Sequence, residues 1–542
     1  MVMIKIHMKR TPRLDNKVKD KLPDLVVESL SKESTDLNKL VEDALKTEQR
    51  LARQEKGNKS KALEKLKFVR SIKSKLRGSQ DKNKDIKEEI KRLSRYYAEE
   101  IHGNFNKFLV SFLHWIAPIL LNFMLNSFSV IQFFKNFRGS GESKNRVIAH
   151  GNVELVKRLE KFGALVIVPT HVSNFDSIVL AHMLYRAGLN PPLWGAGLNL
   201  FKGFTIRRIM NNIGCYKIDR RKKNRIYIET LKQYSTYQLE QGYNTIFYPG
   251  GTRSRSGEIE QDLKLGLLST VVAAFINNIK NGKMRSNIYV VPVTISYTVV
   301  PEAETLALDH FFGEDKRKQI LKRISRKATL LGRTLKKVWN NIKQDNPIYL
   351  TLGDPMDPFG NNVNYEGVAE DKYGIPINVA DIIKDKNGNF IDEEEIKEEY
   401  TKILSKKIAE DFYKINIVLP SQVFLFAIVS YLKEENPGKT DDEIVMLPPM
   451  DNTINNAALK EEIEDIIKMV KSKAETEGFK LHPWIEREDV ERIFRYGVRI
   501  YTSGYAARPI IKKGDSIIPA KIATIFYYSS RLRCYFTDDV TH

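Results

Sequence analysis

At 542 residues, the chain is longer than one hydrophobic core usually organises, so two or three structural units are expected. Its hydrophobic and charged fractions of 42% and 29% fit a folded protein and exclude disorder throughout. The formal net charge of +21 indicates a polyanionic neighbour, which nucleic acid, an anionic membrane surface or phosphorylated substrates could all provide. The two cysteines, Cys215 and Cys534, cannot form a disulfide framework and suit a reducing compartment.

The N-terminal region, residues 1–103, is rich in Lys, Glu, Leu and Ile in a helical rhythm. It predicts a basic helical region, and packing of these helices on the remaining protein with their charges outward is favoured over a nucleic-acid-binding arm. The opening "MVMIKIHMKRTPR" lacks the apolar stretch of a secretory signal, so no export is expected.

A hydrophobic segment follows at residues 104–137. Within it, residues 108–134 carry no Lys, Arg, Asp or Glu, and as one helix they would extend about 40 Å, enough to cross a bilayer. Pro118 and several polar residues interrupt this stretch, so a bent anchor or two interfacial helices fit at least as well as a clean span. The remaining alternative is a buried helical hairpin. The segment is predicted to associate with a membrane.

From residue 138 to 360 short apolar runs such as "ALVIVPTH" and "NIYVVPVTISY" alternate with helical patterns. This alternation predicts an α/β fold, a mostly parallel sheet flanked by helices. Residues 361–542 read as a mixed C-terminal region of unknown role.

A histidine and an aspartate stand where the first of these strands turns into a helix. In "IVPTHVSNFDSIVL" His171 follows the strand and Asp176 lies on the first helical turn. An aspartate in reach of one imidazole nitrogen fixes the tautomer, and the other nitrogen can then act as a general base toward a hydroxyl. Taken alone the pair is a weak signal, because aspartate at a helix start is ordinarily a cap.

Three later stretches supply compatible parts. "GCYKIDRRKKNR" places Arg220 next to apolar sequence, where a guanidinium suits phosphate capture; Lys222, Lys223 and Arg225 are instead expected to form a solvated helix start. "FYPGGTRSRSG" follows a strand and joins paired glycines to donors for an anion. "VVPVTISY" is an apolar strand broken by Pro292.

In order, spacing and context the four stretches resemble the blocks of the glycerolipid acyltransferase superfamily: His-x4-Asp, Gly-x3-Ile-x-Arg, Phe-Pro-Glu-Gly-Thr-Arg-Ser and a late apolar block with proline. "YRAGLNPPLWGAGLNL" and "RSRSG" look in particular like the membrane-associated glycerol-3-phosphate 1-O-acyltransferases. The resemblance covers about residues 147–355. One departure stands out: the chain has Gly250 where the pattern has glutamate.

The resemblance implies that His171 is the catalytic base and Asp176 its partner, and that a fatty acyl group moves from an acyl thioester to the sn-1 hydroxyl of glycerol 3-phosphate. Acyl-CoA or acyl carrier protein would be the donor, with no cofactor and no metal. The location implied is the cytoplasmic face of the inner membrane. The substrate-binding positions carried over are Arg220, Gly250, Gly251, Arg253, Ser254 and Pro292.

Two rival interpretations stay open. Acylation of 1-acylglycerol-3-phosphate uses the same four blocks. A basic nucleic-acid-binding protein would fit the charge, but the sequence shows no recognisable reading module, so no nucleic-acid partner is expected.

Overall fold

The computed structural model describes residues 16–33, 36–55, 59–78, 81–106, 108–110, 112–113, 147–201, 204–282, 287–325, 347–504 and 508–536. Four helices come first: α1 (Asn16–Glu33), α2 (Leu37–Gln54), α3 (Lys59–Arg77) and α4 (Lys82–Ile101). Their apolar residues recur every three or four positions, as with Ile86, Ile90, Leu93 and Tyr97 of α4, and these side chains are buried. The predicted helical N-terminal region is confirmed.

The alternating part of the chain forms strands and helices in turn. Its strands are β1 (Val147–His150), β2 (Gly163–Pro169), β3 (Leu193–Gly197), β4 (Cys215–Ile218), β5 (Thr245–Ile246), β6 (Asn287–Tyr297) and β7 (Ile348–Leu352). Its helices are α5 (Val153–Leu159), α6 (Asp176–Arg186), α7 (Phe204–Met210), α8 (Arg225–Glu240), α9 (Leu265–Lys280) and α10 (Ala303–Ser325), with a short 3-10 turn at Leu198–Phe201.

These strands build one seven-stranded sheet in the order β1-β7-β6-β2-β5-β3-β4. All neighbours are parallel except β6 and β7. The central strand β2 is buried on both faces, which explains its unbroken apolar run. The predicted α/β fold with a mostly parallel sheet is confirmed. Because β2, β5 and β4 run in the same direction, the loops that follow them leave the same edge of the sheet.

The C-terminal part adds short strands and further helices. The strands are β8 (Asn362–Val363), β9 (Ala369–Glu370), β10 (Ile417–Val418), β11 (Ile454–Asn455), β12 (Lys480–Leu481), β13 (Ile510–Lys513) and β14 (Ser516–Pro519). The helices are α11 (Val379–Ile382), α12 (Glu393–Ile415), α13 (Pro420–Glu434), α14 (Asp441–Val445), α15 (Asn456–Glu477), α16 (Pro483–Glu486), α17 (Val490–Arg499) and α18 (Ile522–Arg533), with a 3-10 turn at Pro449–Asp451 and a π-helical turn at Ile500–Gly504.

Two hydrophobic clusters hold these parts together. The larger one is continuous from the sheet into the C-terminal helices, including Phe424 of α13 and Phe526 of α18. The smaller one joins the N-terminal helices to α8 and β4 through residues such as Tyr97, Tyr227 and Tyr216. The N-terminal and C-terminal regions therefore both pack on the strand-and-helix part that carries the four blocks.

The predicted membrane-associating segment, residues 104–137, lies mainly outside the described residues. At its described beginning Phe108 and Phe112 are 87% and 53% exposed. Within the described ranges, no helix combines the length and apolar character needed to cross a bilayer.

Candidate active site

His171 and Asp176 lie together at the edge of the sheet, just after β2. The chain leaves β2 at Pro169, turns through His171 and enters α6 at Asp176. Nδ1 of His171 and Oδ2 of Asp176 are 2.8 Å apart. The predicted pairing of the two side chains is therefore present in the fold.

Asp176 is fully buried, and four donors surround its carboxylate. Besides His171, the backbone N–H groups of Val172 and Ser173 donate to Oδ2 at 2.7 and 2.9 Å. The hydroxyl of Tyr297, at the end of β6, donates to Oδ1 at 2.8 Å. Burial, together with the charge of Asp176, raises the pKa of Tyr297 well above its ordinary value, so this hydroxyl keeps its proton. The carboxylate is thus compensated for its burial and fixed in place.

The imidazole of His171 is held on two sides. Asp176 accepts from Nδ1, and the ring of Tyr248 stacks on the imidazole with centroids 4.1 Å apart and an interplanar angle of 26°. Tyr248 is itself tied to α6, because its hydroxyl lies 2.9 Å from Oγ of Ser177. The His171 side chain remains 21% exposed. With a proton on Nδ1, the other nitrogen, Nε2, is unprotonated and suited to accept a proton from a hydroxyl.

The loop after β5 brings Gly250, Gly251 and Ser254 to the same edge. Gly251 adopts the left-handed region at φ 73°, which glycine tolerates at no steric cost, and its carbonyl accepts a hydrogen bond from Arg220. The N–H of Ser254 donates to the carbonyl of His171 at 2.8 Å. The first three blocks are therefore in direct contact, although the Ser254 hydroxyl is already engaged within its own loop, where it donates to the Glu258 carbonyl and accepts from Gly257 N–H.

Arg253 is linked to the turn after His171 through Glu302. Nη1 of Arg253 lies 3.6 Å from Oε1 of Glu302. The same carboxylate accepts from the hydroxyl of Ser173 at 2.8 Å and from the N–H of Asn174 at 3.1 Å. Arg220 is exposed, and through Gly251 and Glu302 the two arginines are tied to loops that meet at the same edge of the sheet as His171.

Pro292 lies inside the sheet. It is buried in β6, opposite Val168 of β2, and its carbonyl accepts the N–H of Gly353 at 2.8 Å. Its link with an acyl donor stays a prediction.

Lys222 differs from the expectation of a solvated helix start. Its side chain is 1% exposed and its Nζ pairs with carboxylates of Glu48 and Glu100 from the N-terminal helices. The rings of Tyr96, Tyr97 and Tyr227 surround the ammonium group at 4.6 to 5.6 Å. The expectation was wrong for Lys222 because its partners come from distant helices; Lys223 and Arg225 are exposed as expected. The N-terminal helices thus fix the segment that carries Arg220.

The backbone N–H groups of the turn at residues 171–174 are all occupied. Those of Val172 and Ser173 bond to Asp176, that of Asn174 bonds to Glu302, and that of His171 donates to Oε1 of Glu260 at 3.2 Å. An oxyanion formed near this turn would need other donors.

Four functional candidates were not identified from the sequence: Tyr248, Glu260, Tyr297 and Glu302. Tyr248 and Tyr297 lie within the third and fourth stretches, so a signal was present. Glu260 and Glu302 lie outside the four blocks and meet His171 and its turn only in the folded chain.

Elsewhere, a cleft of about 710 Å³ lies between the segment after Glu260 and helix α12. Its lining includes Leu263, Tyr413 and Phe479 but none of the predicted site residues.

Within the described ranges no cluster of three or more His, Cys, Asp or Glu side chains is arranged to hold a metal ion.

Comparisons with known proteins show what the strand-and-helix part of the chain is similar to. The family model described as "Acyltransferase" matches residues 150–296. A curated relative, glycerol-3-phosphate acyltransferase of Glaesserella parasuis serovar 5 (strain SH0165), is 31% identical over 217 residues, which are 39% of this chain and 24% of the relative. The chain therefore matches about a quarter of that protein.

A structural neighbour is the 1-acyl-sn-glycerophosphate (LPA) acyltransferase PlsC of Thermotoga maritima. It is 12% identical with a TM-score of 0.25, over 63% of this chain and 88% of the other. A similarity this low supports no conclusion about substrate.

The mostly parallel sheet carries the paired histidine and aspartate at the edge where β2 ends. Residues 150–296, which include this pair, are the part of the chain that is similar to the acyltransferase family model.

Proposed function

We propose that the protein transfers a fatty acyl group from an acyl thioester, acyl-CoA or acyl carrier protein, to the sn-1 hydroxyl of glycerol 3-phosphate. The observation that carries this proposal is the His171–Asp176 pair, with its buried and fully hydrogen-bonded carboxylate, inside the matched acyltransferase region. The name of the curated relative supports glycerol 3-phosphate as the acceptor.

The proposed chemistry is one acyl transfer coupled to two proton transfers, one to His171 and one from it. Nε2 of His171 takes the proton of the acceptor hydroxyl while its oxygen attacks the thioester carbonyl, and Asp176 stabilises the imidazolium that forms. The C–S bond of the resulting tetrahedral species breaks, the thiolate leaves, and it takes the proton from His171. The ester and a free thiol are the products, with no acyl-enzyme between them.

Positive charge beside this pair suits a phosphorylated acceptor. Arg220 is exposed and bonds to the Gly251 carbonyl, and Arg253 is partly exposed beside Glu302. In this proposal both guanidinium groups attract the phosphate of the acceptor. Residues 108–134, with the overall positive charge, hold the protein against anionic lipid on the cytoplasmic side of the membrane.

An acceptor panel tests the proposal. Purified protein in lipid vesicles is given a labelled acyl chain, bound either to CoA or to acyl carrier protein. Glycerol 3-phosphate and 1-acylglycerol 3-phosphate are offered as acceptors in separate reactions. The proposal predicts a labelled 1-acyl product from glycerol 3-phosphate. Turnover on the lysolipid alone would refute the acceptor, and absence of transfer together with a steeply salt-dependent affinity for DNA would instead favour the nucleic-acid interpretation.

A further inference from the structure

The backbone conformation at Gly250 does not require a glycine. It is not among the glycines with positive φ, whereas its neighbour Gly251 is. A Cβ at position 250 would lie 2.6 Å from Oε1, 2.7 Å from Cδ and 3.2 Å from Cγ of Glu260. These three nearest atoms all belong to one side chain. The carboxyl group of Glu260 therefore takes up the space that a side chain at position 250 would fill.

Glu260 reaches this place from outside the four blocks. Its Oε1 accepts the backbone N–H of His171 at 3.2 Å, while its Oε2 is shut off from solvent and has no hydrogen-bond partner among the described residues. Asp176 and Arg531 of α18 are the charged groups that act on it. Burial raises the pKa of Glu260 to about 8, so near neutral pH the group is mainly the uncharged acid.

We infer that Glu260 is a positioning residue of this site: it supplies beside His171 the carboxyl group that the third-block pattern carries at position 250. Its role in catalysis rests on the proposed function. The hydrogen bond to His171 N–H fixes the backbone at the point where β2 ends, and with it the direction in which the imidazole projects. Loss of the bond leaves that part-buried N–H without its partner and lets the turn shift, and a shift of about 1 Å can cost roughly a hundredfold in rate.

Kinetics of the full chain in vesicles, with acyl-CoA and glycerol 3-phosphate, give the first test. Glu260→Ala is expected to lower kcat about tenfold or more while KM for the acceptor changes less than about threefold. Glu260→Gln keeps an uncharged acceptor oxygen in the same place and is expected to retain most of kcat. Glu258→Ala, in the same loop but paired with Arg533, is the matched control and is expected to stay near wild type.

The more specific test moves the carboxyl group from position 260 to position 250. Gly250→Glu alone places two side chains in one space and is expected to lower activity. The double variant Gly250→Glu/Glu260→Ala returns one carboxyl group from the other position, and is expected to regain at least about tenfold in kcat over Glu260→Ala. A folded double variant no more active than Glu260→Ala, or a Glu260→Ala variant with unchanged kcat, would overturn the inference.

A stability measurement separates this inference from the proposed function. Gly250→Ala is made in two backgrounds, the wild type and Glu260→Ala. In the wild type it is expected to lower the urea midpoint of unfolding, because the side chain of Glu260 must move. In the Glu260→Ala background it is expected to leave the midpoint unchanged. If the wild type acylates no acceptor, the proposed function fails, and this pair of midpoints alone decides whether Glu260 fills the space at position 250. Equal midpoint shifts in both backgrounds would then overturn the inference.

Discussion

Replacement of Asp176 with asparagine is expected to remove most activity at a modest cost in stability. Three of the four hydrogen bonds to Asp176 end on Oδ2 and the fourth, from Tyr297, ends on Oδ1. An asparagine can turn its carbonyl toward the three donors and its amide toward Tyr297, whose hydroxyl can rotate and accept. The number of bonds is kept and the charge is lost, so we expect a fall of about 1 to 3 kcal/mol in the free energy of unfolding.

The effect on rate should be far larger. Without the carboxylate the imidazolium of His171 is not stabilised, and the amide can hold the ring in the wrong tautomer. Carboxylate-to-amide changes of this kind beside a catalytic histidine lower kcat about 10⁴-fold.

The assay compares kcat for acyl transfer with urea unfolding of the same preparations. Tyr297→Phe is the control, since it removes one bond to Oδ1 and leaves the other three, and should cost about 1 kcal/mol in stability with less than about a tenfold loss of rate. A folded Asp176→Asn variant within tenfold of wild-type activity would refute the assigned role of the carboxylate.

Three further predictions concern stability. Lys222→Met removes the nearer of two buried lysines that pair with Glu48 and Glu100 and leaves only Lys65, at 3.6 to 3.7 Å from them, so it should lower the free energy of unfolding by about 2 kcal/mol. Lys223→Met changes an exposed side chain and should cost under about 0.5 kcal/mol; equal urea midpoints for the two variants would contradict this. Gly257 has φ 92°, and a Cβ added there would lie 1.8 Å from the carbonyl oxygen of Tyr527, so Gly257→Ala should destabilise the protein strongly. A Cβ added at Gly266 would meet no neighbouring side chain or strand within 4 Å, so Gly266→Ala should leave stability nearly unchanged; thermal unfolding of both variants checks this. The pKa of Glu260 is about 8 in the folded protein, against an ordinary value of 4.5. Protonation of Glu260 therefore contributes a stabilisation of the folded state that is fully present below pH 4.5 and is lost as the pH rises through 8. Between pH 5 and 8 the wild type should therefore lose about 3 kcal/mol more unfolding free energy than Glu260→Gln, and parallel pH curves would contradict that.

The sequence was sufficient to predict the elements whose signal is local. The apolar run of β2 and the histidine and aspartate after it lie within a few residues of one another, so a strand, a turn and a helix start predict their meeting. The alternation of strands and helices likewise predicts a parallel sheet, and parallel strands bring the loops after β2, β5 and β4 to one edge.

The remaining parts of the site depend on contacts between distant segments. Glu260 meets His171 across 89 residues, and Tyr297 meets Asp176 across 121. Lys222 looked solvated because its own neighbours in sequence are charged, but Glu48 and Glu100 reach it from the N-terminal helices. Sequence periodicity and spacing do not predict these long-range contacts, because they depend on how whole helices and strands pack.

The most direct test of the account is acyl transfer to glycerol 3-phosphate by His171→Ala in the full chain. The variant removes the proposed base, and His182→Ala, a change on the same helix α6 outside the site, controls for loss of a histidine. We expect His171→Ala to lose transfer while remaining folded and bound to anionic vesicles, and His182→Ala to keep most of its activity. Near-normal formation of 1-acylglycerol 3-phosphate by His171→Ala would contradict the account.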